Sequence, residues 1–367
     1  MLLSTAATAL DLTLGAGPLE QCSVHGIGSR VAALGYLEPS PILLAEEYGG
    51  RYYDAADGRN VAIGHGYADI TAPLAGFCLG AFYRIDYWGD ADGDTLDALA
   101  ANHADRPFSV GRTYRLDYGS VEARSFGLKV SRVHDFQPAD GWTVRLGATG
   151  SLLKGTMYRE EKLAGAATAT SGEYATGTAQ LMRARSDYRA KDFNPFVGVG
   201  DPDGYGYSID LAALIRMPRG YSLQLTAMDA FARMYWEDVP TSFERLDNQS
   251  VRYDANFNRE AFITGVDRRG DIAHTLQPRY RAVMFGPLRP GLEWMLSDDH
   301  AHKTHFPAVG LRYQSAQLAA STEYDIETGA LSFWVRKGFF SLSISSDDLE
   351  FHQAKVLGAN LAFNAPF

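Results

Sequence analysis

The segment KVLGANLAFNAPF, residues 355–367, alternates between two kinds of side chain. Every second residue from Leu357 to Phe367 is apolar, and the residues between them are smaller or more polar. A repeat of two residues is typical of a β-strand whose two faces meet different surroundings. We therefore expect this segment to be a strand, and the surroundings of its apolar face decide the fold.

The composition is that of a folded protein and not of a disordered chain. Of the 367 residues 46% are hydrophobic, enough for a large core. No run of 18 or more apolar residues is present, which excludes membrane-spanning helices. Membrane-spanning strands remain open, because alternating residues average out in a hydropathy window. The net charge of -10 does not indicate a nucleic-acid-binding protein.

The same alternation recurs along most of the chain. It is clearest at residues 77–88, 126–131 and 142–149, and in a hairpin that turns at Pro218–Gly220. One short helix is predicted at residues 94–104. Residues 159–180 are predicted to be a loop or a weak strand, and residues 241–272 to be long loops. One all-β domain over residues 1–367 is the simplest account, with residues 1–30 partly a plug or a periplasmic segment.

A soluble sandwich would show the same alternation, so other features must separate the two classes. Tyrosine and tryptophan recur near strand ends, as at Tyr83, Trp142, Tyr205 and Tyr207. Aromatic girdles at two membrane interfaces explain this placement, whereas a soluble sandwich does not require it.

The last strand resembles the terminal signature of bacterial outer-membrane β-barrel proteins. Phe367 matches the final aromatic residue, Phe363 and Leu361 match the alternating positions before it, and Pro366 departs from the commonest pattern. The resemblance implies a closed antiparallel transmembrane β-barrel of about 14 strands, within roughly 12 to 16, in the cell outer membrane. It also implies that Phe363 and Phe367 form an assembly signal, with the barrel assembly machinery, outer-membrane lipid and lipopolysaccharide as partners. Residues 204–240 resemble, more weakly, the long hairpins of fatty-acid-transporter-like and conjugation-associated barrels.

A row of charged residues on one strand face is the most suggestive functional feature. If the opposite, apolar face meets lipid, these charges line the lumen and favour anionic solutes. The alternative is that they pair with carboxylates such as Asp86, Asp117 and Asp210 and fill the barrel. The residues predicted to line the lumen are Arg183, Arg185, Asp187, Arg189 and Lys191, with Arg145 and Lys129 from other strands.

Two clusters raise the question of a divalent metal ion. Asp90, Asp92 and Asp94 have a calcium-loop-like spacing, but the EF-hand template fails because Thr95 stands in place of its glycine. A second cluster holds three histidines, but the sequence implies no further ligand for them. Solvated loops are the favoured interpretation of both clusters, and no other cofactor is expected. The three histidines are His300, His302 and His305.

No motif for catalysis is present, so we do not expect an enzyme. His134 and Asp135, with Ser131 upstream, are more simply polar residues near a strand end. Cys22 and Cys78 could form a disulfide or remain thiols, and the alternatives stay open. The first residues lack the positive charge of a signal peptide, so the start is interpreted as mature, recloned or truncated.

Porin-like passage of small, anionic solutes is the function that these features favour. Two alternatives belong to other classes: a structural or docking subunit of an envelope or secretion assembly with a plugged lumen, and an outer-membrane enzyme.

Overall fold

The alternating segments are strands in the computed structural model, which describes residues 11–14, 17–21, 26–40, 58–103, 107–186, 202–253 and 259–366. Two short helices, α1 (Pro18–Gln21) and α2 (Gly93–His103), and a 3-10 turn at Pro218–Gly220 accompany them. The strands are β1 (Gly26–Leu37), β2 (Arg59–Leu74), β3 (Phe77–Asp92), β4 (Thr113–Phe136), β5 (Thr143–Ala169), β6 (Ala175–Arg185), β7 (Gly204–Arg216), β8 (Ser222–Tyr253), β9 (Arg259–His274), β10 (Arg279–Arg289), β11 (Leu292–Ala301), β12 (Thr304–Gln314), β13 (Leu318–Asp325), β14 (Leu331–Lys337), β15 (Phe340–Ser346) and β16 (Val356–Pro366).

Antiparallel pairing between the first and last strands closes the sheet. β1 pairs with β16 from Gly26 opposite Pro366 to Tyr36 opposite Val356. The ring then runs through consecutive neighbours, except that β5 pairs with β7, and β8 with β10. Sixteen strands less β6 and β9 leave fourteen in the closed ring. The predicted closed barrel of about 14 strands is confirmed.

β6 and β9 lie outside the ring and extend one side of the wall. β6 pairs with the second half of β5 and with β8, and β9 pairs with the second half of β8. Of the two alternatives for residues 159–180, a loop or a weak strand, the structure shows mainly strand, and the long loops predicted at 241–272 are wrong. Charged cross-strand pairs replace apolar alternation in this extension, which is why the sequence pattern is weak there.

The two ends of the barrel differ in the length of their connections. Hairpins such as the one between Leu74 and Phe77 make one end, called here the turn end. Longer connections, such as residues 93–112 and 347–355, make the other, called the loop end. Short turns face the periplasm in outer-membrane barrels and long loops face outward, which orients this barrel.

Apolar side chains cover the outside of the wall, and polar ones fill the inside. On β4, Phe126 and Leu128 are exposed, whereas Gly127 and Lys129, which alternate with them, are buried. In the final strand the exposed side chains are Leu361 and Phe363, as the apolar file of the sequence predicts. A closed ring with an apolar exterior leaves no unpaired ladder edge in hydrocarbon, so this is a transmembrane barrel.

The predicted aromatic girdle is only partly on the outside. Tyr83, Trp142, Tyr205 and Tyr207 have exposed rings, consistent with the prediction. Trp88, a further aromatic residue near a strand end, is instead partly buried and packs against an interior apolar cluster. A period of two assigns residues to faces, but aromatic residues are also used to fill the interior of a barrel.

α2 lies at the loop end, where the sequence predicts a helix. Asp92 caps it, because its carboxylate accepts a hydrogen bond from the backbone N–H of Thr95 at 2.8 Å. In the described part of the chain no helix is both long enough and apolar enough to cross a membrane. Cys78, at the start of β3, is disulfide-bonded, and the sequence has one other cysteine, Cys22.

Candidate functional site in the barrel interior

The loop-end half of the interior holds a cluster of large apolar side chains, called here the aromatic layer. Tyr158 and Trp236 are its largest fully buried members, with ring centroids 5.4 Å apart. Burial of such rings is a major stabilising contribution. The layer consists of Phe82, Val121, Ala123, Leu153, Tyr158, Ala184, Ala232, Met234, Trp236, Val239 and Leu276.

Glycines on two neighbouring strands make room for the indole of Trp236. A Cβ atom added at Gly155 of β5 would lie 2.3 Å from the indole, and one added at Gly204 of β7 would lie 2.6 Å from it. Distances this short exclude any side chain at these positions without a shift of the ring. The two glycines therefore set the position of Trp236 against the wall.

Beside the aromatic layer lies a group of buried charges, called here the ionic layer. The guanidinium of Arg84 donates two parallel hydrogen bonds to Asp229, both 2.8 Å long, and a third of 2.6 Å to Asp86. His65 contacts the other oxygen of Asp86 at 3.2 Å. Such charges are stable away from water only when they are paired and hydrogen-bonded.

A bulge in β8 places Asp229 in the ionic layer. The β7–β8 register shifts between Ile209 and Leu211, and Asp229 has a φ of 55°. A left-handed residue in a bulge turns its side chain away from the regular alternation, and aspartate tolerates this conformation better than most residues. The backbone N–H of Asp229 donates to Asp210 at 2.7 Å, which holds the bulge in place.

The described part of the N-terminal segment lies inside the barrel. Asp11 forms an ion pair of 2.9 Å with Arg281, and the carbonyl of Leu12 accepts a hydrogen bond of 3.0 Å from Arg279. Asn360 of the last strand donates to the carbonyl of Leu14 at 3.2 Å. Two strands of the wall, β10 and β16, therefore carry the groups that hold this segment. A plug role for it stays a prediction.

The wall has a break in its ladder beside the aromatic layer. β8 pairs with β10 up to Met228 and with β9 from Met234 onward. Residues 275–278, between these partners, are not part of a strand, and Leu276 among them belongs to the aromatic layer.

The cavities between these layers are small. One of about 20 Å³ lies beside Arg84, Lys129 and Asp210, and another of about 20 Å³ lies beside His65 and His302. A volume of this size holds about one water molecule.

The described residues of the basic row that is predicted to line the lumen, Arg183 and Arg185, do not face the lumen. Ala184 is fully buried in the aromatic layer, so Arg183 and Arg185 point to the opposite, outer face of β6. They pair with Glu244 at 3.4 Å and with Glu161 at 2.7 Å. This corrects the prediction for both residues: the apolar side of this strand meets the protein interior and not lipid. Asp187, Arg189 and Lys191 lie outside the described residues.

The other two residues of the predicted lumen are on the inner face, and both are paired. Lys129 is buried, 2.5 Å from Asp69 and 2.7 Å from the hydroxyl of Tyr67. Arg145 pairs with Asp135 at 2.6 Å near the turn end. That they line a solute path remains a prediction.

In the first of the two clusters considered for metal binding, each aspartate has another partner. Arg59 pairs with Asp90 and Arg112 pairs with Asp94, while Asp92 caps α2. Among the described residues no group of three or more histidine, cysteine or acidic side chains is arranged to hold a metal ion.

The three histidines separate because the β11–β12 turn divides them between two faces. His300 and His305 are cross-strand neighbours with ring centroids 4.4 Å apart, and His305 contacts Asp298 at 3.0 Å. His302 stacks on Trp88 of β3 at 5.1 Å.

The residues considered for catalysis do not meet either. Ser131 is buried and within 2.7 Å of the hydroxyl of Thr149. His134 is exposed, three residues along β4, and packs on Phe136. Asp135 is engaged by Arg145. Ser131 and His134 therefore lie on opposite faces of β4.

The sequence does not predict the three residues that form the central ion pairs of the ionic layer, Arg84, Asp229 and Arg279. The one local signal was Asp229 itself, a carboxylate within an otherwise apolar part of the long hairpin at residues 204–240.

Comparison with known proteins supports the fold. No family model matches the chain, and no curated protein matches it. A mutant of the monoaromatic hydrocarbon channel TodX is similar with a TM-score of 0.50 and 11% identity, over 97% of this chain and 94% of that one. The chain has the fold of an outer-membrane β-barrel. The Pseudomonas putida toluene transporter TodX (TM-score 0.43, 11% identity, 98% and 92% covered) and a Pseudomonas aeruginosa FadL homologue (0.43, 11%, 96% and 90%) are also similar.

Proposed function

We propose that this barrel passes small, mainly apolar solutes across the outer membrane along a path that is closed in the form described here. The observation that carries the proposal is the aromatic layer itself, a cluster of apolar rings inside the barrel with a filled ionic layer beside it. These rings offer an apolar solute a surface to contact. Burying an apolar solute among them is favourable, at roughly 25 cal/mol per Å².

The ionic layer argues against a straight path for such a solute. Arg84, Asp229 and Arg279 are buried and mutually paired, and the cavities beside them hold about one water molecule. The break in the ladder around Leu276 offers an apolar exit from the aromatic layer into the membrane instead. The similar TodX structures are described as a monoaromatic hydrocarbon channel and a toluene transporter, which agrees with an apolar cargo.

The anion-selective porin is the less supported form of solute passage. Its basic row is outside the lumen at Arg183 and Arg185, and Lys129 and Arg145 on the inner face are paired with acids. A structural or docking barrel is a second candidate, because the filled interior would suit it equally well.

Uptake of N-phenylnaphthylamine by intact cells tests the proposal, since this apolar aromatic probe fluoresces on reaching the inner leaflet. We expect cells carrying the barrel to take it up faster than cells without it. Leu276→Trp should fill the break in the ladder and slow uptake, whereas Thr275→Trp, at an exposed neighbouring position, should not. Equal rates with and without the barrel would favour the docking candidate.

Single-channel recording in planar bilayers separates the porin. A general pore would give steady ion currents from the unmodified barrel, and a filled interior should give none. A large, anion-selective current would contradict the apolar path.

A further inference from the structure

On its outer face, the barrel carries a group of half-exposed arginines, called here the outer arginine patch. These are Arg124 of β4, Arg159 of β5, and Arg183 and Arg185 of β6. They lie on the outer face of their strands, and residues of the aromatic layer lie on the inner face of the same strands. Three glutamates accompany them. The patch is defined by Arg124, Arg159, Arg183, Arg185, Glu122, Glu161 and Glu244.

Strand register, not chance proximity of long side chains, assembles the patch. Glu122, Arg159 and Arg185 are directly opposite one another on three neighbouring strands. The next row toward the loop end places Glu161 opposite Arg183. Residues opposite each other in an antiparallel ladder share a face and lie about 5 Å apart.

The arginines lie nearer the surface than the acids that pair with them. Their side chains are 38–40% exposed, whereas those of Glu122, Glu161 and Glu244 are 18–28% exposed. The carboxylates therefore lie beneath the guanidinium groups, and the guanidinium N–H groups face the surroundings of the barrel.

The patch begins where the lipid-facing surface ends. Phe126 follows Arg124 by two residues on the same face, a rise of about 7 Å, and Leu128 comes next. Arg124 is on the loop-end side of these apolar residues. Since the loop end faces outward, the patch lies at the level of the headgroups of the outer leaflet.

A groove in the lipid-facing wall reaches Phe126, two residues from Arg124 on β4. It crosses β1 to β5, has a volume of about 770 Å³, and is open to the hydrocarbon. Small side chains at Ala68 and Ala81 lie between larger apolar neighbours, which makes the surface concave. The larger residues of this wall groove are Val31, Ile70, Tyr83, Phe126, Leu128 and Leu152.

We propose that the outer arginine patch and the wall groove together bind one molecule of lipopolysaccharide. Its lipid A phosphate is held by Arg124 and Arg159, and an acyl chain lies in the groove. Guanidinium groups match phosphate oxygens with two parallel hydrogen bonds, and these bonds are stronger where water is partly excluded. The acyl chain adds apolar contact with side chains that face lipid in any case.

Native mass spectrometry of the full-length, detergent-purified barrel tests this with two probes. These are hexa-acylated lipid A with both phosphates and the same lipid with the phosphates removed. We expect the phosphorylated lipid to bind at least about tenfold more tightly, a difference of about 1.4 kcal/mol. Equal affinity for the two would overturn the phosphate site without any variant being needed.

Variants then locate the site. Arg124→Gln with Arg159→Gln should lower the affinity for phosphorylated lipid A about tenfold and leave that for the dephosphorylated lipid unchanged. Arg132→Gln is the matched control, because Arg132 is exposed on the outside of the same strand at the turn end. An equal loss in this control would mean nonspecific charge attraction and overturn the proposal.

The groove has its own variant. Ala81→Phe should weaken both lipids alike, and unchanged binding would remove the acyl site. Heat-modifiable migration on a gel shows that each variant has folded. If the double glutamine variant fails this check, Arg124→Lys with Arg159→Lys takes its place and should give a smaller loss, because the charge remains and the paired hydrogen bonds do not.

Discussion

The guanidinium of Arg279 lies 3.0 Å from the carboxylate of Asp229, and its other terminal nitrogen donates to the carbonyl of Leu12 at 3.0 Å. One side chain therefore joins the bulge of β8 to the N-terminal segment inside the barrel. A movement of that segment changes the hydrogen bonding of Asp229, and a change at the bulge alters the hold on the segment. The break in the wall begins at the same place, because Arg279 is paired opposite Met228.

Replacing Arg279 by glutamine should both destabilise the barrel and open it. Asp229 would keep Arg84 but lose its second partner, and loss of one member of a buried ion pair costs about 3 kcal/mol. We expect a lower midpoint in guanidinium chloride unfolding, followed by tryptophan fluorescence, and faster N-phenylnaphthylamine uptake. Unchanged uptake in a barrel that has lost stability would contradict the link between Arg279 and the path.

The variant Asp11→Ala should release the N-terminal segment with less effect on the wall. Asp11 pairs with Arg281 at 2.9 Å, and Arg281 keeps Asp299 at 3.9 Å. Uptake of the apolar probe should rise, while the unfolding midpoint changes less than in the Arg279 variant. Asp298→Ala is the control, since it removes a carboxylate that contacts His305 and is not involved with the segment.

The barrel architecture can be predicted from the local alternation of apolar and polar side chains, whereas the arrangement of side chains in the interior cannot. A period of two in Phe126, Leu128 and the last strand predicts which residues share a face, and fourteen such strands can close only as a barrel in hydrocarbon. The pattern does not say which face is inside where both faces are mixed. At Arg183 and Arg185 the small apolar Ala184 packs inward, so the charges point outward.

Long-range pairing is the other part that local sequence cannot predict. Arg84 and Asp229 are 145 residues apart, and Arg279 and Leu12 are 267 apart. Nothing in the local sequence marks these residues until the register of the ring brings them together. The left-handed backbone of Asp229 likewise depends on the bulge, which a period of two does not reveal.

The pair of Lys129 and Asp69 should show strong coupling in a double-mutant cycle. The two side chains are buried and 2.5 Å apart, so Lys129→Met leaves Asp69 as an uncompensated charge. We expect this variant to lose about 3 kcal/mol of unfolding free energy. Adding Asp69→Leu should restore much of it. Additive losses, measured by chemical unfolding in detergent, would show that the pair is not coupled.

Enlarging Gly155 should displace Trp236 and perturb the aromatic layer. A Cβ there would lie 2.3 Å from the indole, so Gly155→Ala forces overpacking that costs about 1–3 kcal/mol. The emission of the barrel should change and uptake of the apolar probe should fall. Gly150→Ala on the same strand is the matched control, because a Cβ there meets nothing within 4 Å. Identical behaviour of the two variants would contradict the packing.

Acid should loosen α2 through Asp94. Its carboxylate accepts hydrogen bonds from the Arg112 guanidinium at 2.6 Å and from the backbone N–H of Arg115 at 3.1 Å, and the Arg112 bond above all lowers the pKa of Asp94. A lowered pKa means that the stabilisation is complete above the unfolded value of 3.8 and is lost as the pH falls through the folded value.

Hydrogen exchange of residues 93–103 measures this loss. Wild type should be better protected than Asp94→Asn near neutral pH, and the two should converge once the pH has fallen below the folded pKa of Asp94, where the carboxylate is protonated in both states. Asp140→Asn, at an exposed position of the turn end, should match wild type at every pH. A difference between wild type and Asp94→Asn that stays constant with pH would mean that the ionised carboxylate does not hold the helix.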